Sequence, residues 1–212
     1  MSTSVRRCHG SVVVMLIAIA SIVLGTVATS AQSVCTCTPA LSITRQITIC
    51  FNGAQRQVEV TYCNESFCPP STQITDHCNA QNLPIDARTV IKRICPIGFA
   101  TTNAQGLMNA TIAAIGLCCN NQGGIFECQP STVYHWIVRW PKCVYFDATG
   151  CLEACDDTPC CHALVRFRPN SPTPGRCETT VLTNCSENLE CPPSPVNTCI
   201  KLDCIYPVTC CW

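Results

Sequence analysis

The densest group of reactive side chains in the sequence is a run of cysteines that ends in a histidine. Four thiols and one imidazole fall within twelve residues, at Cys151, Cys155, Cys160, Cys161 and His162. Zinc accepts such ligands, but its structural sites usually contain Cys-x2-Cys pairs, and this run has none. In an oxidising compartment, closely spaced thiols form disulfides instead. We therefore predict disulfides at these cysteines and no metal site.

Adjacent cysteines predict points where two disulfides meet. Neighbouring Cα atoms are about 3.8 Å apart, which is closer than the roughly 4.4–6.8 Å that a disulfide usually spans. Each cysteine of such a pair should therefore bond to a separate, distant partner. The predicted junctions are Cys118–Cys119, Cys160–Cys161 and Cys210–Cys211.

No arrangement of residues in the sequence specifies hydrolytic catalysis. The Gly-x-Ser-x-Gly motif is absent from the sequence. His77 follows Asp76 in a predicted loop, but one Asp-His dipeptide does not define a catalytic triad. His135 lies within a predicted strand, where a structural role is more common. We predict a protein that is not an enzyme and that has no cofactor.

The first 31 residues have the three parts of a secretory signal peptide. Arg6 and Arg7 form a positively charged start, residues 11–27 are apolar, and the small residues from Ala28 to Ala31 offer a cleavage site. We predict cleavage after Ala31 and a location outside the cell, at its surface or in a periplasm. An uncleaved anchor is the alternative, because about 17 apolar residues are near the lower limit for crossing a bilayer.

Cysteine content and charge define the class of protein further. Cysteine supplies 23 of the 212 residues, above the roughly 8–10% at which a disulfide scaffold is expected. Loss of the signal peptide would leave 22 cysteines, an even number that can pair completely. It would also leave 11 basic and 13 acidic residues, a net charge of −2. Nucleic acid binding depends on clustered basic residues, so we predict no nucleic acid partner and, after signal removal, no membrane partner.

A β-hairpin is the clearest local structure that the sequence predicts. Asn52-Gly53 separates the alternating segments 41–51 and 54–63 and is a strong signal for a type I′ turn. The pairs expected on the apolar face are Phe51–Ala54, Ile47–Val58 and Ile43–Tyr62. Arg45 and Arg56 interrupt that face, so we expect it to be only partly covered. Both arginines are candidate contacts for a partner.

Two short helices are predicted between this hairpin and the next strands. Asp86 is a candidate cap for a helix that reaches Cys95, where Pro96 would end it. A second helix is predicted over residues 103–117, because its apolar residues recur at helical spacing. Glycines at 106 and 116 weaken that second prediction.

Alternating residues predict strands again after residue 132. Residues 133–140 place Tyr134, Trp136 and Trp140 on one side, and residues 163–168 alternate in the same way. An aromatic stripe of this kind most often lies in a core, since aromatic side chains bury the most area. The alternative is an exposed platform for a glycan or a partner protein. We therefore include Tyr134, Trp136 and Trp140 among the possible partner contacts.

These elements predict an α+β fold that is mainly antiparallel β, a disulfide-rich secreted scaffold with one or two short helices in the first half. The predicted organisation is a signal peptide over residues 1–31, a disulfide-rich α+β domain over 32–129 and a disulfide-rich β domain over 130–212. Glycosylation triplets occur at Asn64, Asn109 and Asn184, and their use depends on the host.

The function expected from these features is structural. About 180 mature residues can bury a core without cross-links, so eleven bridges exceed what folding requires and favour durability. We expect a non-catalytic structural protein, such as a cell-surface or extracellular appendage (filament) subunit, with protein partners through self-assembly or a surface partner. A secreted binding module, either an adhesin or a protease inhibitor, is the alternative, and a secreted hydrolase is a weaker one.

Overall fold

A β-sheet with one helix packed on it makes up the part of the chain that the computed structural model describes. The described residues are 35, 37, 41–74, 76–116, 133–156, 158–168, 178–186, 190–191 and 198–207. The predicted signal peptide and the predicted junctions at Cys118–Cys119 and Cys210–Cys211 lie outside these residues.

Nine strands and one helix follow one another along the described chain. They are β1 (Ser42–Phe51), β2 (Ala54–Ser71), β3 (Ile85–Ile97), α1 (Ala104–Ile115), β4 (Tyr134–Pro141), β5 (Cys143–Phe146), β6 (Leu152–Ala154), β7 (Cys160–Arg168), β8 (Glu178–Ser186) and β9 (Ile200–Lys201). The prediction of a mainly β fold with many disulfides is confirmed.

The predicted hairpin is present with the predicted register. Asn52 and Gly53 both have positive φ, 51° and 74°, as a type I′ turn requires. β1 and β2 then pair antiparallel, with Phe51 opposite Ala54 at the turn. The turn residues and the alternation together fix this register, because a slip by one residue would expose the apolar face.

The prediction of a helix from Asp86 to Cys95 is wrong, because this segment is the central strand β3. One edge of β3 pairs with β2, and the other pairs first with β4 and then with β6. Both faces of such a strand are buried, so its apolar residues recur without strict alternation. Asp86 caps no helix; its carboxylate accepts a hydrogen bond of 2.7 Å from the backbone N–H of His135.

The predicted helix over residues 103–117 corresponds to α1, which is the single helix of the described residues. Asn103 caps its first turn, since its side-chain oxygen accepts a hydrogen bond of 2.8 Å from the Gly106 N–H. The helix lies in the middle of the chain, so the prediction of one or two short helices in the first half is not confirmed. The apolar side of the helix is buried and includes Leu107, Met108 and Ile112.

Strands from both predicted domains belong to one sheet. Its order is β8-β7-β4-β3-β6-β5-β9, and the β1–β2 hairpin pairs with β3. The main core likewise joins Val60 and Ile94 from the first half to Trp136 and Val165 from the second. The boundary predicted after residue 129 therefore does not separate two cores within the described chain.

The loop residues 72–74 and 76–84 cover the second face of the sheet. Ile137 of β4 and Leu164 of β7 form a small buried cluster there with Ile85. Ile74 and Leu83 of the loop pack against this cluster. The part of the sheet formed by β4 and β7 is therefore covered on both sides. Two polar residues of the loop, Asp76 and Asn79, have buried side chains.

Candidate functional site

The predicted aromatic stripe lies in the core and offers no surface to a partner. Tyr134, Trp136 and Trp140 are each at most 1% exposed. The Trp136 indole N–H donates a hydrogen bond of 2.8 Å to Thr89 Oγ1, and its ring packs against Phe167. These residues belong to the main core together with residues of α1, which is the alternative that their pattern favoured, and their side chains are not exposed to a partner.

Arg45 and Arg56 differ from the aromatic residues, because both are exposed on the first hairpin. Arg45 lies opposite Val60, and Arg56 lies opposite the buried Ile49. The Arg56 guanidinium is 5.7 Å from the centre of the Phe99 ring, a cation–π contact. Their exposure is compatible with partner binding, which remains a prediction.

The junction predicted at Cys160–Cys161 is confirmed. Cys160 bonds to Cys35, and Cys161 bonds to Cys204. The other cysteines of the dense run also have separate partners, since Cys151 bonds to Cys95 and Cys155 bonds to Cys199. Four sulfurs of the possible zinc set are thus used in four different disulfides.

Disulfides connect the sheet with the segments around it. The other bridges between described cysteines are Cys37–Cys63, Cys78–Cys185 and Cys143–Cys191. Disulfides form and persist in oxidising compartments. This pattern is therefore consistent with a protein that functions outside the cytosol.

One of these disulfides assembles a polar site that sequence analysis did not identify. His162 of β7 lies opposite Cys185 of β8, so both side chains point to the same face of the sheet. Cys185 bonds to Cys78 in the covering loop, and the Cys78 sulfur lies 3.6 Å from the His162 carbonyl oxygen. The bridge therefore holds Asp76 and His77 over His162.

Asp76 and His162 form a buried hydrogen-bonded pair at this site. His162 Nδ1 lies 3.1 Å from both carboxylate oxygens of Asp76, and the side chains are 1% and 3% exposed. The Cys78 backbone N–H also donates to Asp76 Oδ1, at 2.9 Å. His162 Nε2 is buried and has no hydrogen-bond partner among the described residues.

His77 joins the pair from the solvent side. Its Nδ1 lies 4.0 Å from Asp76 Oδ1, and its side chain is 45% exposed. Its ring meets the His162 ring edge to face, with centres 4.2 Å apart. We call Asp76, His77 and His162 the Asp-His-His cluster.

Burial and charge determine the protonation states in this cluster. Burial lowers the pKa of His162, and Arg139 and His77 add to this effect against the opposing Asp76. Burial acts to raise the pKa of Asp76, but hydrogen bonds from His162 and Cys78, together with nearby positive charge, hold that pKa below its ordinary value. At neutral pH a neutral His162 therefore donates its Nδ1–H to an ionised Asp76.

No local sequence signal links His162 to Asp76, which lies 86 residues earlier. In the sequence, Asp76 and His77 form an ordinary dipeptide, and His162 follows a run of cysteines. The Cys78–Cys185 disulfide supplies the missing link, and disulfide connectivity cannot be deduced from cysteine positions alone.

No known protein family, no curated protein and no solved structure matches this chain. Among the described residues, no helix has the length and apolar character needed to span a membrane.

Proposed function

We propose that this protein is an extracellular, non-catalytic structural protein, a subunit of a cell surface or of an extracellular appendage. The observation that carries the proposal is the cross-linking of a sheet that already has a continuous core. Tyr134, Trp136, Trp140 and Phe167 are essentially inaccessible to solvent in that core. Burial on this scale supplies the main favourable free energy of folding.

The disulfides stabilise the fold beyond this core. Cys35–Cys160 and Cys78–Cys185 join residues separated by 125 and 107 positions, and bridges over long loops restrict the unfolded chain most. Each native bridge contributes about 2–4 kcal/mol. A protein that must resist proteases, heat or mechanical force gains from such cross-links.

The first hairpin supplies a surface through which subunits can pair. Among the described residues β1 pairs only with β2, so its outer edge has backbone groups that no described strand uses. The side chains of Thr44, Gln46 and Thr48 are exposed along it. An edge strand of ten residues is long enough to add a strand from a second copy.

The test is the assembly state of the native protein isolated from its source, determined from its native mass and by electron microscopy. We expect oligomers, fibres or layers that persist in denaturant until a reductant is added. A species that stays monomeric at high concentration and forms no fibre or layer would contradict the proposal. Binding of that monomer to a surface glycan or protein would instead support the secreted binding module.

Secretion is tested separately on the same material. We expect the native amino terminus to lie at Gln32 and alkylation to find no free thiol among the 22 remaining cysteines. A native chain that begins at Met1 would indicate a retained anchor. Several alkylated thiols would contradict complete disulfide formation.

A further inference from the structure

We propose that the Asp-His-His cluster binds one divalent transition-metal ion, zinc or copper, through Asp76, His77 and His162. This inference does not depend on the proposed structural function. The cluster places one carboxylate oxygen and one nitrogen from each of two imidazoles within 4.8 Å of one another.

The separations between ligand atoms are close to those of a metal site. Zinc bonds to imidazole nitrogen and carboxylate oxygen at about 2.0–2.2 Å, so tetrahedral ligands lie about 3.4 Å apart. Asp76 Oδ1 is 3.1 Å from His162 Nδ1 and 4.0 Å from His77 Nδ1. The larger gap involves His77, the most exposed member of the cluster, whose side chain is 45% exposed, so the proposal requires this side chain to move toward Asp76 when the ion binds.

The buried members are held in place before an ion arrives. The Cys78 N–H fixes the Asp76 carboxylate, and the Cys78–Cys185 bridge fixes the loop above His162. A metal at His162 Nδ1 replaces the proton that this nitrogen donates to Asp76, and that proton moves to Nε2. Because Nε2 has no hydrogen-bond partner among the described residues, the exchange breaks no bond there.

The ligand types select the class of ion. Two imidazoles and one carboxylate suit zinc and copper, whereas calcium and magnesium need several oxygen ligands. Arg139 lies opposite His162 in the ladder, and its positive charge offsets the negative charge of the Asp76 carboxylate. A calcium or magnesium ion, which depends mainly on negatively charged oxygen ligands, gains little at this site, while zinc and copper gain from the two imidazole nitrogens.

Solvent reaches the site through His77. Its side chain is 45% exposed, so an ion can enter from the solvent side of the cluster. The cysteines beside the cluster do not compete, because Cys78 and Cys185 are oxidised to a disulfide.

The experiment is calorimetric titration of the oxidised protein with zinc chloride, and separately with copper chloride and calcium chloride. We expect one zinc or copper ion per chain and no binding of calcium. The decisive variant is His77→Phe, which keeps an aromatic ring against His162 but removes the nitrogen ligands. We expect its affinity for zinc to fall at least tenfold, with the unfolding temperature of the metal-free protein unchanged.

The control is His135→Phe, which removes a histidine outside the cluster. Its zinc affinity should equal that of the original protein. Nitrogen NMR of the imidazoles should show the His162 resonances move on zinc addition in the original protein. The proposal is overturned if the oxidised protein binds no zinc or copper, if His77→Phe binds as tightly as the original, or if the His162 resonances do not respond.

Discussion

His162 and Cys185 lie opposite each other in the ladder between β7 and β8, and the disulfide from Cys185 to Cys78 places an aspartate over the histidine. This bridge joins residues 107 positions apart. It stabilises the covering loop and also builds the polar site beneath it.

Replacement of both cysteines, Cys78→Ala with Cys185→Ala, should remove both effects. We expect a loss of about 2–5 kcal/mol in the free energy of unfolding, measured by urea denaturation, and loss of zinc binding. Cys155→Ala with Cys199→Ala removes another bridge, which spans 44 positions, and should leave zinc binding intact. Zinc binding that survives loss of Cys78–Cys185 would contradict the positioning role of this bridge.

Thr89 links two polar groups within the sheet. Its hydroxyl accepts the Trp136 indole N–H at 2.8 Å and donates to Asn64 Oδ1 at 2.8 Å. Thr89→Val has nearly the same shape but removes this acceptor from a buried N–H, so we expect a cost of about 1–3 kcal/mol.

The measurement for Thr89→Val is urea unfolding followed by tryptophan fluorescence. Thr48→Val, at an exposed position of β1, is the control and should change stability by less than about 0.5 kcal/mol. Equal effects of the two substitutions would show that the hydroxyl bridge contributes no net stability.

The pH dependence of stability should depend on Asp147, which organises the turn between β5 and β6. Its Oδ1 accepts hydrogen bonds from the Thr149 hydroxyl, the Cys151 N–H and the Thr149 N–H, while Oδ2 accepts from Arg93. The Thr149 hydroxyl, followed by the backbone amides and Arg93, holds the pKa of Asp147 well below its ordinary value.

A carboxyl group with a lowered pKa stabilises the fold above its unfolded pKa, and this stability is lost as pH falls through the folded value. We therefore expect Asp147→Asn to cost about 1–3 kcal/mol at pH 7. The difference from the original protein should shrink progressively below about pH 4. Asp203→Asn, at an exposed position, is the control, and a difference for Asp147→Asn that stays constant down to pH 2 would contradict this account.

Local signals in the sequence predicted some elements well and others poorly. Asn52-Gly53 fixed the first hairpin because the turn type and the alternation agree. The prediction of a helix from Asp86 to Cys95 is wrong because a strand buried on both faces has no period of two. Its pairing with β2, β4 and β6 outweighs the helical spacing of its apolar residues.

The Asp-His-His cluster shows a different limit. Each of its residues is ordinary in its local sequence, and its position depends on one disulfide among many possible pairings. The cysteine positions predicted that bridges exist and that adjacent cysteines have different partners. They did not predict that one bridge would bring Asp76 to His162.

The proposed assembly depends on the outer edge of β1, which can be blocked without breaking the hairpin. In a hairpin with a two-residue turn, Phe51 and Ala54 form a hydrogen-bonded pair, and hydrogen-bonded pairs then alternate with non-hydrogen-bonded pairs away from the turn. The β1 residues of the non-hydrogen-bonded pairs direct their backbone N–H and C=O groups away from β2. Gln46, which lies opposite Glu59, is one of the outward residues. Proline has no N–H and is tolerated where the N–H of an edge strand faces away from the sheet.

Gln46→Pro should therefore prevent pairing of β1 with a second copy while leaving the β1–β2 ladder in place. We expect the variant to remain monomeric at concentrations at which the original protein assembles, as measured by light scattering and electron microscopy. Gln46→Ala retains the N–H and should assemble normally. At concentrations below those at which Gln46→Ala assembles, the unfolding midpoints of the two variants should be similar, because neither change removes a hydrogen bond between β1 and β2. Assembly of Gln46→Pro to the same extent as Gln46→Ala would show that subunits do not pair through β1.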